Sequence, residues 1–135
     1  MSTRFTEITT QQLLARIQDP RLALLDIRPI EAYNGWALNG EPRGGHIEGA
    51  KAFPFLWTGL DNWQKILADK GITTDKKVTL YGYKKEQTGQ MAGLLLEKGY
   101  QDITLYHAFS DEWAPDESLP MDRLERYHQL VHPQW

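Results

Sequence analysis

The segment Gly82–Thr88 carries the most concentrated set of residues that could bind a small ligand. It lies between an apolar run, Val78–Tyr81, and a helical pattern, and it includes Lys84 and Lys85. Free amides at the start of a helix attract anions, and two lysines would add positive charge. An anion-binding loop is therefore one interpretation, beside the more ordinary one of a solvated turn whose lysines face water. The residues available to an anion are Tyr83, Lys84, Lys85, Gln87 and Thr88.

The absence of cysteine excludes a broad range of chemistry. Because the sequence has Cys 0, disulfides, thiolate metal sites and cysteine nucleophiles are all ruled out. His128 and His132 have the spacing that two metal ligands on a helix would use, but a tetrahedral site needs more ligands, and Pro133 follows at once. We expect neither a metal nor a cofactor.

Composition limits the partners of the chain. Lys and Arg total 15 and Asp and Glu total 18, which gives a formal charge of −3, and hydrophobic residues make up 41% of the 135. This balance is typical of one globular domain and offers no basic stripe for nucleic acid. No apolar run approaches the roughly 18 residues of a membrane span, and the start of the chain lacks the apolar region of a secretion signal. We expect no nucleic-acid partner and no membrane partner.

Short apolar runs alternate with helical patterns along the chain. Thr9 and Gln12 have the spacing of a capping box and predict the start of the first helix, and the glycine-rich stretch Asn34–Gly45 predicts a long loop. Strands separated by helices favour parallel pairing with helices on both faces of the sheet, so the predicted class is α/β. The predicted strands are Leu22–Ile27, Ala50–Phe55, Val78–Tyr81 and Ile103–Tyr106. The further predicted helices are Pro29–Tyr33, one through Trp63 and Leu67 to about Gly71, Gly89–Lys98 and Pro120–Val131, with a turn around Asp111–Trp113.

Several motifs form one pattern that extends from about Phe5 to Pro120. They are Leu24–Pro29, Glu31–Tyr33 and Gly45–Ala50 in the first half, the strands Val78–Tyr81 and Ile103–Tyr106, and a closing motif of Trp113 with Leu119 and Pro120. The pattern resembles that of rhodanese-like domains. This resemblance implies a single rhodanese-like domain with a central, mostly parallel β-sheet and helices on both faces.

The resemblance also implies a reaction for which this chain lacks the nucleophile. Catalytic members of the family use a cysteine directly after the strand that corresponds to Val78–Tyr81, and this cysteine carries a sulfane sulfur as a persulfide. Gly82 stands at the position of that cysteine, Lys85 where the family usually has a loop glycine, and Gln87 where it usually has an arginine. Glycine has no side-chain nucleophile, so we expect no catalytic residue here. The cysteine phosphatases of the same fold are excluded for the same reason.

Three further motif residues are expected to be structural. Asp26 follows a strand, and Arg28 is near enough in sequence to pair with it. The resemblance implies that His46, in the motif Gly45–Ala50, is a turn residue that bonds to nearby backbone. An enzyme of another class that uses Asp26, His46 or Glu86 is a third hypothesis, for which we find no supporting constellation.

The tryptophans divide into two groups. Trp63 and Trp113 occupy positions typical of a core. Trp36, Trp57 and Trp135 lie beside loops or on the tail, and we expect them to contact a neighbouring domain.

A long loop and the C-terminal segment indicate which branch of the rhodanese-like family the chain resembles. Residues 33–46 are similar to a long loop in bacterial sulfurtransferases built from tandem rhodanese domains. Residues 130–135 are similar to the opening of the next domain in those proteins. The noncatalytic N-terminal domain of three-domain thiosulfate sulfurtransferases, which are periplasmic, is the nearest likeness. It implies a rhodanese-like domain over residues 1–120, a C-terminal helix and linker over 121–135, and a catalytic domain of the same polypeptide as partner. The alternative function is that of a stand-alone module that binds a partner or a small sulfur oxyanion. The resemblance implies a periplasmic location, and the cytoplasm is the alternative.

Overall fold

A computed structural model describes residues 5–122, which form a central sheet, a small second sheet and four α-helices. The strands are β1 (Phe5–Glu7), β2 (Leu22–Asp26), β3 (His46–Ile47), β4 (Lys51–Ala52), β5 (Lys77–Tyr81), β6 (Asp102–Tyr106) and β7 (Met121–Asp122). The helices are α1 (Thr10–Arg16), α2 (Ile30–Asn34), α3 (Trp63–Asp69) and α4 (Lys85–Glu97), with a 3₁₀ helix at Phe55–Gly59 and a π-helical turn at Phe109–Trp113. Across residues 5–122 we find no helix with the length and apolar character needed to cross a membrane.

The central sheet has five strands in the order β1-β6-β5-β2-β4, and all of its pairings are parallel. β3 and β7 pair antiparallel beside it. The predicted α/β class with a mostly parallel sheet is therefore confirmed. Because β2 and β5 are neighbours with Asp26 opposite Tyr81, the segments that follow these two strands leave the sheet side by side.

Each face of the central sheet is covered by its own apolar cluster. Successive residues of a strand point to opposite faces, and Leu24 and Leu25 accordingly belong to different clusters. The cluster that includes Leu25 also contains Leu67 of α3 and Met91 of α4. The other cluster contains Leu13 of α1 together with the π-helical turn. Both β2 and β5 are buried at every residue after the first, and burial on both faces explains why β2 is apolar up to Asp26.

Local sequence signals predict the start of α1 correctly and the start of α4 incorrectly. The capping box is confirmed: Thr9 Oγ1 accepts from the Gln12 amide at 3.1 Å, and Gln12 Oε1 accepts from the Thr9 amide at 2.8 Å. In contrast, α4 begins at Lys85, so the predicted start at Gly89 is wrong. The residues that precede Gly89 favour helix, and one interior glycine costs only about 1 kcal/mol relative to alanine.

The starting position predicted for the C-terminal helix is wrong. It was to begin at about Pro120, but Met121–Asp122 form β7 and pair with His46–Ile47 of β3. Pairing with a distant strand outweighs the local helical pattern. The rest of that predicted helix and the linker lie in residues 123–135, outside the described residues.

Smaller differences concern short strands. β1 was not predicted because three residues carry no usable periodicity, and it exists through its pairing with β6. The predicted strand Ala50–Phe55 is reduced to β4, and Pro54 precedes the 3₁₀ helix.

Candidate functional site

The carboxyl ends of β2 and β5 form the edge of the sheet where parallel α/β proteins usually bind ligands. Gly82 directly follows β5 at this edge. Asp26 and Arg28 stand at the end of β2 beside it, and both are buried.

Arg28 is the centre of a buried ionic cluster at this edge. Its guanidinium donates to both carboxylate oxygens of Asp26, from Nε at 2.9 Å and from Nη2 at 2.5 Å. Nη2 also donates to the Gly45 carbonyl at 2.5 Å, and Nη1 lies 3.3 Å from the Glu41 carboxylate. The Tyr83 hydroxyl donates to the same Glu41 oxygen. One arginine therefore joins the end of β2, the loop before β3 and the segment after β5.

Aromatic side chains enclose this charged group. The guanidinium carbon of Arg28 lies 4.5 Å from the ring centre of Phe109 and 5.3 Å from that of Tyr83. Tyr81 donates its hydroxyl to Asp26 at 2.9 Å. Cation–π contacts and hydrogen bonds of this kind compensate the cost of burying the charges.

Burial and these partners shift the pKa values of three members of the cluster. Burial by itself would lower the pKa of Arg28, but the hydrogen bonds and charge of Asp26 outweigh it and raise that pKa. Burial, reinforced by the charge of Asp26, raises the pKa of Tyr81 well above its ordinary value. Burial and the hydrogen bond to Glu41 raise the pKa of Tyr83 to about 12. Arg28, Tyr81 and Tyr83 therefore keep their protons at neutral pH and are not poised for acid–base catalysis.

Residues 35–44, which we call the first loop, close on themselves at their base. A Cβ on Gly44 would lie 1.9 Å from the carbonyl oxygen of Gly35, so the close approach of the two ends requires glycine. Inside the loop, Glu41 Oε1 accepts from the Asn39 amide at 2.9 Å. Arg43 donates at 2.7 to 3.0 Å to four backbone carbonyls near the end of the described chain. These belong to Trp113, Ala114, Asp116 and Leu119.

His46 links β3 to α2. Its Nδ1 lies 2.8 Å from the Tyr33 carbonyl oxygen, and its ring stacks on that of Tyr33 with 3.7 Å between centres. A carbonyl only accepts, so Nδ1 carries the proton of this bond. Burial lowers the pKa of His46 below its ordinary value of 6.5.

Position 82, directly after β5, has no free space for a side chain. A Cβ built on Gly82 would lie 2.9 Å from Cγ1 of Ile27 and 3.8 Å from Cγ2 of Thr88. Ile27 is itself buried in the core, so a side chain at position 82 requires the isoleucine to move.

Two of the five anion candidates are engaged within the fold. Tyr83 is held by Glu41, as described above. The Thr88 hydroxyl lies 3.0 Å from the Lys85 carbonyl and 2.8 Å from Nε2 of His107. The hydroxyl groups of Tyr83 and Thr88 are therefore bound to different partners within the fold and do not form one cradle.

The other three candidates lie at the start of α4. Lys84 and Lys85 are exposed and Gln87 is partly exposed. The amides of Gln87 and Thr88 donate to the Lys84 carbonyl, so they are not free to bind an anion. A carboxylate also stands nearby, because Glu7 Oε1 lies 3.1 Å from Nδ1 of His107, whose Nε2 contacts Thr88. His107, and to a smaller extent the charge of Lys85, lower the pKa of Glu7.

Glu41, Arg43 and His107 contribute contacts at this edge that the sequence did not indicate. Glu41 and Arg43 occur in a stretch rich in glycine and proline, where charged residues are usually exposed. Arg43 meets the Trp113 carbonyl only because the fold brings together residues 70 positions apart. Within residues 5–122, no group of three or more metal-ligating side chains is arranged to hold a metal ion, and His128 and His132 lie outside that range.

The parallel sheet and the loop after β5 together define the class of protein. The family model for the Rhodanese-like domain matches residues 9–116, and the chain belongs to this family.

Two longer proteins illustrate the relationship. The chain is 29% identical over 134 residues to the thiosulfate sulfurtransferase YnjE of Escherichia coli (strain K12). This match covers 96% of this chain and 29% of YnjE. A structure of an EanB variant with hercynine matches it at a TM-score of 0.91 and 39% identity, over 100% of this chain and 32% of EanB. An EanB variant with ergothioneine covalently linked to its persulfide cysteine gives a TM-score of 0.89 and 42% identity, over 96% and 30%. The chain thus spans less than a third of the length of these proteins.

Proposed function

We propose that this chain is a noncatalytic rhodanese-like domain of a larger sulfurtransferase whose persulfide cysteine lies in another domain of the same polypeptide. The observation that carries the proposal is Gly82, the residue directly after β5. Glycine has no nucleophilic side chain, and Ile27 occupies the space that a side chain at this position would need. A sequence with Cys 0 has no other thiol to take its place.

The similar proteins support this assignment. YnjE is a thiosulfate sulfurtransferase, and an EanB structure contains a persulfide cysteine, while this chain matches only 29% and 30% of their lengths. In the parent protein, a cysteine thiolate takes the outer sulfur of a donor such as thiosulfate, and sulfite leaves. The persulfide then passes that sulfur to a thiophilic acceptor, and the thiolate is restored. The proposed location is the periplasm.

The role of this domain in the parent is structural. It packs on the catalytic domain and shapes the entrance to the persulfide site. The rigid edge around Arg28 suits this role, because the first loop is held in place before any partner binds.

The first measurement is the sequence of the source gene beyond the codon for Trp135. We expect a further rhodanese-like unit with a cysteine after the strand that corresponds to β5. A stop codon directly after Trp135 contradicts the proposal.

A kinetic experiment tests the role. Removal of residues 1–120 from the parent protein should change kcat/KM for sulfur transfer or lower the stability of the remainder. A parent variant with the catalytic cysteine replaced by serine is the control that shows the assay reports the persulfide. Unchanged kinetics and stability after the deletion argue against the proposal.

Anion binding is a second candidate function, favoured by two exposed lysines at a helix start that has no side-chain cap. Titration calorimetry with thiosulfate and sulfate tests it, using a Lys84→Ala/Lys85→Ala double variant. Lys65→Ala is the control, since Lys65 is exposed and pairs with Asp69 within α3. Binding that is lost in the double variant alone supports this function, and the absence of heat excludes it.

A further inference from the structure

The first loop (residues 35–44) is long, yet it is fixed at several points. Its base is closed by the contact between Gly35 and Gly44. Glu41 is turned inward to Arg28, and Arg43 donates four hydrogen bonds to backbone carbonyls. These anchors hold the loop in one conformation, so the loop loses little further conformational entropy when a partner binds.

The anchored loop presents large apolar side chains to solvent. Trp36 is 55% exposed and Leu38 is 51% exposed. The two charged residues of the loop show the opposite arrangement, since Glu41 is buried and Arg43 is partly buried. An arrangement with charge inward and apolar groups outward is unfavourable in an isolated domain and is typical of a surface that meets a partner.

We propose that Trp36 and Leu38 form the surface on which this domain docks against the catalytic domain of its own polypeptide. This inference rests on the proposed function. Tryptophan is among the residues that contribute most to the stability of interfaces, particularly when its backbone is already held in place. The loop also adjoins the edge around Gly82, because Glu41 contacts both Arg28 and Tyr83.

The choice of partner follows from the length of the similar proteins. The chain matches YnjE and EanB over 96% to 100% of its own length but only 29% to 32% of theirs. Proteins of this kind therefore contain further chain amounting to about twice the length of this one, which is large enough to cover an exposed loop. An intramolecular partner also needs only a small surface, since the linker keeps its effective concentration high.

Hydroxyl-radical footprinting of the intact parent protein and of the 135-residue chain tests the inference. We expect oxidation of Trp36 to be at least about fivefold slower in the parent, because a side chain that is 55% exposed becomes buried at an interface. Leu14, which is 40% exposed on α1, provides the internal control and should react equally in both proteins.

A variant of the parent protein shows whether Trp36 is needed for docking. Trp36→Ser should make Leu38 as reactive as it is in the 135-residue chain, whereas Leu14→Ser should leave Leu38 protected. Circular dichroism confirms that each variant is folded.

The outcomes separate this inference from the proposed function. A parent protein with a catalytic cysteine domain in which Trp36 stays reactive overturns the docking surface and leaves the proposed function intact. A gene without such a domain overturns both. Protection of Trp36 in the 135-residue chain that grows with its concentration would assign the surface to a second copy of the chain, and would also overturn the inference.

Discussion

Arg28 keeps its charge inside the protein because carboxylates, a hydroxyl and a carbonyl surround its guanidinium. Moving a charge out of water costs several kcal/mol, and only well-placed partners recover it. At the level of single residues, this edge is therefore organised by a structural ion cluster around Arg28, next to Gly82 at the end of β5.

Replacement of Arg28 should be among the most damaging substitutions. Arg28→Met leaves the carboxylates of Asp26 and Glu41 buried without their cation, and we expect a loss of about 3–5 kcal/mol in the free energy of unfolding. Urea denaturation measures it. Arg21→Met is the control, because the Arg21–Asp19 pair is exposed and should contribute less than about 1 kcal/mol. Equal effects of the two substitutions would show that the buried cluster is not an anchor.

A matched pair of glycine substitutions tests the packing around Gly82. Gly82→Ala places a Cβ 2.9 Å from Ile27 and should destabilise the protein by about 1–3 kcal/mol. Gly89→Ala, in the interior of α4 with nothing within 4 Å of its added Cβ, should stabilise it by about 0.5–1 kcal/mol. Thermal unfolding of both variants gives the comparison. A Gly82→Ala variant as stable as the original protein contradicts the proposed overlap.

At the level of secondary-structure elements, two side-chain contacts hold neighbouring elements together. Thr79 of β5 and Thr104 of β6 stand opposite each other, and their hydroxyl oxygens are 2.7 Å apart in the buried sheet. His46 of β3 stacks on Tyr33 of α2 and bonds to its backbone carbonyl. Both contacts depend on register, so a shift of either strand would break them.

The threonine pair is expected to show strong coupling. Thr79→Val or Thr104→Val alone leaves the other hydroxyl buried without its partner and should cost about 1–3 kcal/mol, whereas the double variant should cost less than the sum of the two. Chemical denaturation of all four proteins measures the coupling. Thr74→Val, at an exposed position, is the control and should change stability by about 0.5 kcal/mol or less. Simple additivity would contradict the pairing.

His46 should make stability depend on pH in the acid range. Its pKa is lower in the folded protein than in the unfolded chain, so the unfolded chain binds more protons below about pH 6.5. The contribution of His46 is therefore complete above that pH and declines as pH falls, by at most about 1.4 kcal/mol per pH unit. His46→Asn removes the titrating group and keeps an amide donor for the Tyr33 carbonyl. The stability difference between the two proteins should shrink from pH 7.5 to pH 5, and a constant difference would reject this role.

For the whole molecule, the central sheet is shared by two apolar clusters, one on each face. Neither cluster is complete without the strands between them, because β2 and β5 contribute side chains to both. The two faces should therefore unfold together in one cooperative transition.

Substitutions on opposite faces test this cooperativity. Leu13→Ala and Leu67→Ala each remove a fully buried side chain from a different cluster, and each should lower the free energy of unfolding by about 2–5 kcal/mol. Circular dichroism and tryptophan fluorescence should report the same midpoint in both variants. Leu14→Ala, at an exposed neighbouring position, should have a much smaller effect. Two separate transitions would indicate that the faces unfold independently.

The chemistry that is impossible here and the class of fold could be predicted from the sequence alone. The lack of cysteine is a matter of composition, and the alternation of strand and helix patterns depends on residues that lie close together in the chain. The capping box at Thr9 and the buried run of β2 were confirmed for the same reason, since local hydrogen bonds and periodicity decide them.

Only the tertiary structure decided how the edge beside Gly82 is built. Arg43 meets carbonyls 70 to 76 positions away, and Tyr83 meets Glu41 across 42 positions. The pairing of β7 with β3 likewise overrides the helical pattern of its own segment. Contacts of this kind are selected by the free energy of the whole fold, and no pattern of neighbouring residues encodes them. For this reason the lack of cysteine was visible in the sequence. The buried ion cluster and the exposure of Trp36 and Leu38 on the first loop became visible only in the folded chain.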